Sequence, residues 1–167
     1  PEAFNNIGVM LRAQGKLQEA AAAMENALQL APDRSDICYN LGNIYKQIGD
    51  LPKAVEYYQK AMELQPDFVL VYNNLGTVYE RQGEYGKAVE MYEKGLEIDP
   101  KHPTLRYNLG VAYEASGKLR DAEESYKQVL ELKPDALDSL NNLGVVQQKL
   151  QKADDAVATF QELLTKD

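Results

Sequence analysis

Apolar side chains recur along this chain at the spacing of helix faces. Ile37, Leu41, Ile44, Tyr45 and Ile48 lie on one helical stripe, and Leu51, Ala54, Val55, Tyr58, Ala61 and Met62 lie on the next. Gly49-Asp50 separates the two stripes, and glycine supplies the left-handed backbone that ends a helix and opens a tight turn. Gln65-Pro66 closes the second, because proline cannot continue the helix before it. No segment alternates apolar and polar residues as a half-buried strand does, so helix is expected throughout.

The helix–turn–helix pattern returns every 34 residues. Asn6-Ile7-Gly8, Asn40-Leu41-Gly42, Asn74-Leu75-Gly76, Asn108-Leu109-Gly110 and Asn142-Leu143-Gly144 keep that step. So do the alanines Ala20, Ala54, Ala88, Ala122 and Ala156 and the prolines Pro32, Pro66, Pro100 and Pro134. The sequence reads as a single domain, 1–167, of five units: 1–34, 35–68, 69–102, 103–136 and 137–167. Repeats of this length signal a solenoid in which each unit packs on its neighbours. Alanine at one recurring position predicts close contact between paired helices.

Composition removes several kinds of function. The chain carries 26 acidic and 18 basic side chains, a net charge of −8, where a nucleic-acid protein would show a basic stripe. Its longest apolar runs, Ala20–Met24 and Phe68–Tyr72, are five residues each, against the roughly 20 that cross a bilayer. Neither nucleic-acid binding nor direct membrane insertion is expected. A single cysteine and a single histidine leave no disulfide and no cysteine-built metal site. Cys38 occupies a large-apolar position and reads as a buried small hydrophobe, and His102 reads as a solvated residue between units. Gly83-Glu84-Tyr85-Gly86-Lys87 has neither the spacing of a phosphate loop nor a preceding strand. The expectation is a protein without enzymatic activity, cofactor or metal. A lone cysteine and the lack of a visible targeting segment suggest the cytoplasm.

In the third unit Tyr72, Leu75, Gly76, Tyr79, Ala88, Tyr92, Gly95 and Pro100 stand where a Trp-Leu-Gly-Tyr-Ala-Phe-Ala-Pro pattern would place them. On these residues the sequence resembles the tetratricopeptide repeat family over its whole length. Departures are local: Arg106 replaces a large apolar residue beside Tyr107, and the fifth unit has Gln147 for the tyrosine and Gln151 for the turn glycine. The resemblance implies an all-α, right-handed superhelical solenoid. Its concave groove, lined by the first helix of each unit, would bind proteins or extended peptides.

Unit positions 2, 5, 6, 9, 12 and 13 form the exposed side of that first helix. Position 6 is asparagine in every unit, as Asn6, Asn40, Asn74, Asn108 and Asn142, and Asn5, Asn73 and Asn141 precede three of them. Asparagine inside a helix costs roughly 0.6 kcal/mol relative to alanine, so five in register call for a compensating role. A carboxamide offers one donor group and one acceptor, the pair that holds a peptide unit of an extended chain. The candidate peptide-binding residues are these eight asparagines with Thr77, Lys46 and Arg81. Hydrogen bonding between neighbouring helices is the alternative use of the same groups.

The ladder is similar to the asparagine-lined groove in the repeat arm of O-linked N-acetylglucosamine transferases. That family also has acidic residues one turn earlier. Glu2, Asp36 and Asp138 fit, whereas Leu70 and Thr104 do not, and no catalytic domain accompanies the repeats in this sequence. A carboxylate clamp for chaperone tails would need lysine or arginine at positions 2, 5 and 6; position 5 holds Asn5, Tyr39, Asn73, Tyr107 and Asn141 instead. The reading is a protein-interaction scaffold. Two rivals are a substrate-recruiting arm of a larger enzyme and a module that self-associates end to end through its C-terminal repeat. Val157, Phe160, Leu163 and Leu164 there form a stripe of which only part can pack within the fifth unit.

Overall fold

A computed structural model describes residues 1–166. Helices come two to a repeat along the sequence: α1 (Glu2–Ala13) and α2 (Leu17–Leu30), α3 (Ser35–Ile48) and α4 (Leu51–Leu64), and α5 (Val69–Arg81) and α6 (Tyr85–Ile98). Then follow α7 (Pro103–Ala115) with α8 (Leu119–Leu132), and α9 (Leu137–Lys149) with α10 (Ala153–Lys166). No strand occurs among the described residues.

The chain condenses into two compact bodies, Pro1–Gln82 and Gly83–Asp167. In the first, α1 packs on α2 and α3 on α4, while α2 meets α3 and α4 meets α5. In the second, α7 packs on α8 and α9 on α10, while α6 meets α7 and α8 meets α9.

In the first, second, fourth and fifth repeats the two helices are locked by a large side chain seated on a glycine. A Cβ placed on Gly42 would lie 2.6 Å from the ring of Tyr58, and one on Gly110 would lie 2.7 Å from that of Tyr126. Phe160 meets Gly144 at 2.6 Å and Met24 meets Gly8 at 2.5 Å in the same way. Tyr58 and Tyr126 are fully buried there, as are Ala20, Ala54 and Ala122 at the recurring alanine position. Ring and glycine surfaces therefore interdigitate at a separation that side chains on both helices would forbid. Around Ala122, Tyr126, Leu143 and Val146 this contact grows into a core that also gathers Tyr107, Val111 and Leu150.

The turns obey the backbone rather than the partner. Gly49 ends α3 at φ 93°. Gln151 holds the equivalent turn of the fifth repeat at φ 61°, a left-handed conformation that costs an L side chain roughly 1–2 kcal/mol. Arg106, out of pattern in sequence, donates to the Gln128 side chain and the Pro100 carbonyl, and Tyr107 beside it tilts against Tyr126 at 5.9 Å.

Two buried polar groups also pin elements. Glu123, 4% exposed, meets Lys127 at 2.8 Å and Lys152 at 2.6 Å, tying α8 to the turn before α10. Burial opposes its charge, but the two lysines prevail and hold its carboxyl below the ordinary range. His102 departs from expectation: it is a half-buried helix cap, because its Nδ1 accepts from the Leu105 N–H at 3.3 Å at the start of α7. Cys38 is fully buried, and burial pushes its thiol above the usual range. In the terminal stripe, Phe160 packs on Gly144 while Val157 and Leu164 remain 56% and 77% exposed.

Two stability outcomes follow. Gly42→Ala forces the Tyr58 ring to move and should destabilise by about 1–3 kcal/mol. Gly86→Ala, in α6 with open space around its Cβ, should instead stabilise by about 0.4–1 kcal/mol. Urea unfolding of the two variants reads both signs. Gln151→Gly should raise the melting temperature, by roughly 1–4 °C, since relief of the left-handed strain exceeds the added chain entropy; a fall in melting temperature would contradict the strain assignment.

Candidate functional site

The first helices α1, α3 and α5 present the candidate face in the first body, and α7 and α9 present it in the second. In the first body the predicted residues Lys46, Asn74, Thr77 and Arg81 come together. The Lys46 ammonium donates to Asn74 Oδ1 at 3.0 Å, and Asn74 Nδ2 donates to Tyr39 Oη at 3.0 Å and to Asn43 Oδ1 at 3.1 Å. Asn43 Oδ1 also receives the Tyr58 hydroxyl at 2.8 Å. One carboxamide thus joins α5 to three residues of α3, and through Asn43 to the ring that locks α3 on α4. Its orientation is fixed, since an ammonium can only donate.

Arg81 Nη1 donates to the Lys46 carbonyl at 3.1 Å, and the Thr77 hydroxyl donates back to the Asn74 carbonyl within its own helix at 2.8 Å. Burial holds the Lys46 ammonium below the ordinary lysine range, with Arg81 and Arg12 adding like-charge repulsion. No salt bridge to Arg12, Lys46 or Arg81 forms among the described residues.

Position 6 is not used uniformly. Asn142 Nδ2 donates to Tyr107 Oη at 3.1 Å, the counterpart of Asn74 and Tyr39 two repeats earlier. Asn6 and Asn141 are exposed and Asn40 is half-buried, and none of the three makes a side-chain hydrogen bond among the described residues. Asn5 is half-buried, with its Oδ1 shielded from solvent and without a partner. Asn73 and Asn108 are both half-buried and engaged.

The candidate binding residues read from sequence do not include Tyr39, Tyr107, Asn43 or Arg12. The signal for the first two is an alternation at position 5, where Asn, Tyr, Asn, Tyr and Asn follow one another: the backbone repeats every 34 residues, the side chain at position 5 every 68. The polar partners diverge along with it. Lys46 is replaced 68 residues on by Glu114, which pairs with Lys149 at 2.7 Å and accepts from the Tyr126 hydroxyl at 3.2 Å. Among the described residues no group of three or more His, Cys, Asp or Glu side chains is placed to hold a metal, and no helix is long and apolar enough to cross a membrane.

Models of tetratricopeptide repeats match residues 8–49, 42–83, 69–135 and 107–167. Curated protein sequences give no significant match. Solved structures give many. The crystal structure of MamA protein is 24% identical, with a TM-score of 0.93 over 99% of this chain and 90% of that one. MamA from Desulfovibrio magneticus RS-1 is 20% identical, with a TM-score of 0.91 over 99% and 93%. YrrB, described as a repeat protein of this kind with an unusual peptide-binding site, is 21% identical, with a TM-score of 0.85 over 98% and 84%. At such identities the likeness carries the fold. Helix pairs in 34-residue register and the matching models together lead to one conclusion: the chain is an all-α solenoid that belongs to the tetratricopeptide repeat family.

Proposed function

We propose that this chain is a non-catalytic protein-interaction scaffold whose first-helix face binds an extended peptide segment, with the asparagine ladder contacting the peptide backbone. The observation that carries this is Asn40. Its carboxamide is half-buried in the face and has no side-chain hydrogen bond among the described residues. Partly shielded polar groups of this kind gain most from a ligand that supplies both a carbonyl and an N–H. In the first body Asn6 and Asn40, with Asn5, contact the peptide while Asn74 holds the register, and in the second body Asn141 does so beside Asn142.

Chemistry next to Asn40 narrows the ligand. Arg12, Lys46 and Arg81 lie close enough for mutual repulsion to disfavour the Lys46 charge. A peptide carboxylate there would relieve that repulsion, so the segment bound by the first body carries an acidic side chain, and its affinity falls as salt rises. The fold of YrrB, whose own description includes a peptide-binding site, agrees with this use of the architecture. End-to-end self-association is a second reading, supported by the exposed Val157 and Leu164. Sedimentation velocity across a hundredfold concentration range tests it. A concentration-dependent rise in mass that Leu164→Lys removes is the expected result, and an unchanging monomer excludes it.

The two uses of asparagine separate by mutation. Against a peptide selected from an acidic random library, Asn40→Ala should weaken binding about fivefold to tenfold, the loss of about 1 kcal/mol, with melting unchanged or slightly raised. Asn74→Ala breaks three hydrogen bonds between α3 and α5 and should lower stability by about 1–2 kcal/mol, or roughly 2–8 °C in melting temperature. If Asn40→Ala leaves affinity intact, the ladder is scaffold and the binding face lies elsewhere.

A further inference from the structure

The second body contains a cleft of about 360 Å³ beside Tyr107, between the start of α7, the end of α8 and the start of α9. It lies within the range of small-ligand sites. Its apolar lining is Tyr107, Val129, Ala136 and Leu137, and its border carries Lys133 and Asp138, whose charges cancel.

An occupied version of this site stands 68 residues earlier in the same chain. Tyr39 matches Tyr107 in its ring partner and in its hydrogen bond. Each ring tilts against a buried tyrosine, Tyr39 on Tyr58 at 6.1 Å and 49°, Tyr107 on Tyr126 at 5.9 Å and 53°. Each hydroxyl accepts from the asparagine 35 residues ahead, at 3.0 and 3.1 Å. The residue capping the following first helix is Phe68 in one case and Ala136 in the other, with nearly the same backbone: φ −80°, ψ 80° against φ −74°, ψ 85°. Matching dihedrals send the two Cβ atoms in the same direction. Phe68 uses that direction to lay its ring on Tyr39, centroids 4.9 Å apart and planes at 43°. Ala136 stops at the methyl, and the cleft occupies the ring's place.

We propose that this cleft is an anchor pocket for an uncharged aromatic side chain, phenylalanine in kind, presented by a partner peptide and seated on Tyr107 as Phe68 is seated on Tyr39. The inference rests on the peptide-binding reading above and adds a specificity determinant to it. Phenylalanine suits the site because the pocket floor is a tilted tyrosine platform, which favours an aromatic contact over an aliphatic one. An uncharged group suits it because Lys133 and Asp138 offset each other at the border. Tyr107 and Asn142 are positioned through hydrogen bonding to each other, so the platform is rigid before the ligand arrives.

The test uses the full chain and N-acetylphenylalaninamide as probe, followed by amide NMR shifts. Saturable shifts at Thr104, Tyr107, Ala136 and Ser139 are expected, with a Kd on the order of 1 mM, the affinity that about fifteen non-hydrogen atoms supply at ordinary efficiency. N-acetylalaninamide should give none. Ala136→Phe should abolish the response, as should Thr104→Trp on the exposed rim, a substitution that leaves the interior untouched should the first fail to fold. Phe68→Ala should create a second set of shifts around Tyr39. Shifts that persist in both filled variants, or that alaninamide reproduces, overturn the proposal. Concentration-dependent shifts of these amides without probe, lost in Phe4→Ser, would assign the pocket to the exposed Phe4 of a second copy and overturn the partner assignment. A selected peptide whose affinity falls with Asn40→Ala, in a chain that gives no probe shifts, would leave the peptide-binding reading standing and remove the anchor. Probe binding without any selectable peptide would do the reverse, leaving an aromatic-binding site on a face with another use.

Discussion

Everything on the candidate faces depends on the approach of a ring to a glycine. Tyr58 on Gly42 and Tyr126 on Gly110 bring paired helices to a separation that no other residue at the glycine position would permit. That separation sets where the first helix of each pair stands, and so which of its side chains meet the next first helix. The tyrosine hydroxyl extends the same contact into polar chemistry. Tyr58 donates to Asn43 and Tyr126 to Glu114, so one side chain fills the interior and orders a group on the face. Packing and function are not separate layers in this molecule: the ring that closes a repeat also chooses the polar partners of its surface.

Most of the fold was legible in sequence because its causes are local. Glycine at position 8, alanine at position 20, a turn glycine and a closing proline each act within one repeat, and each recurs at the same step. A local cause repeated in four or five units leaves a periodic trace, and helix boundaries follow from it. His102 was misread because its role is a single unrepeated contact, an imidazole nitrogen accepting from Leu105, which no other unit displays. Arg106 was flagged as out of pattern, but the Gln128 and Pro100 groups that receive its guanidinium lie on neighbouring segments that periodicity does not connect.

The candidate face was less legible, for a physical reason. An asparagine at position 6 looks the same in every unit, yet its work depends on position 5 of the preceding unit, 35 residues away. Where that residue is tyrosine, as before Asn74 and Asn142, the carboxamide has a rigid hydroxyl to bond. Before Asn40 stands Asn5, a short flexible side chain, and no bond forms between them. Identity at one position therefore conceals two chemical states, and only the pairing across helices separates them.

The 68-residue period at position 5 then accounts for the division of labour on the face. A tyrosine at position 5 of every second repeat stiffens the junction that follows it, by fixing the next asparagine and by offering a ring on which a capping side chain can rest. Where Asn5 stands instead, Asn40 makes no side-chain hydrogen bond among the described residues. A row of five fully bonded asparagines would be stable and inert, and a row of five unbonded ones would leave polar groups shielded from water without partners, each costing about 1–3 kcal/mol. The first body avoids both extremes, with Asn74 fully engaged and Asn40 without a side-chain hydrogen bond. Phe68 and Ala136 show the same economy in apolar form: on identical platforms one junction supplies its own ring and the other leaves room for one. The face is thus periodic in shape and departs from that period in chemistry, at Asn5 against Tyr39 and at Ala136 against Phe68.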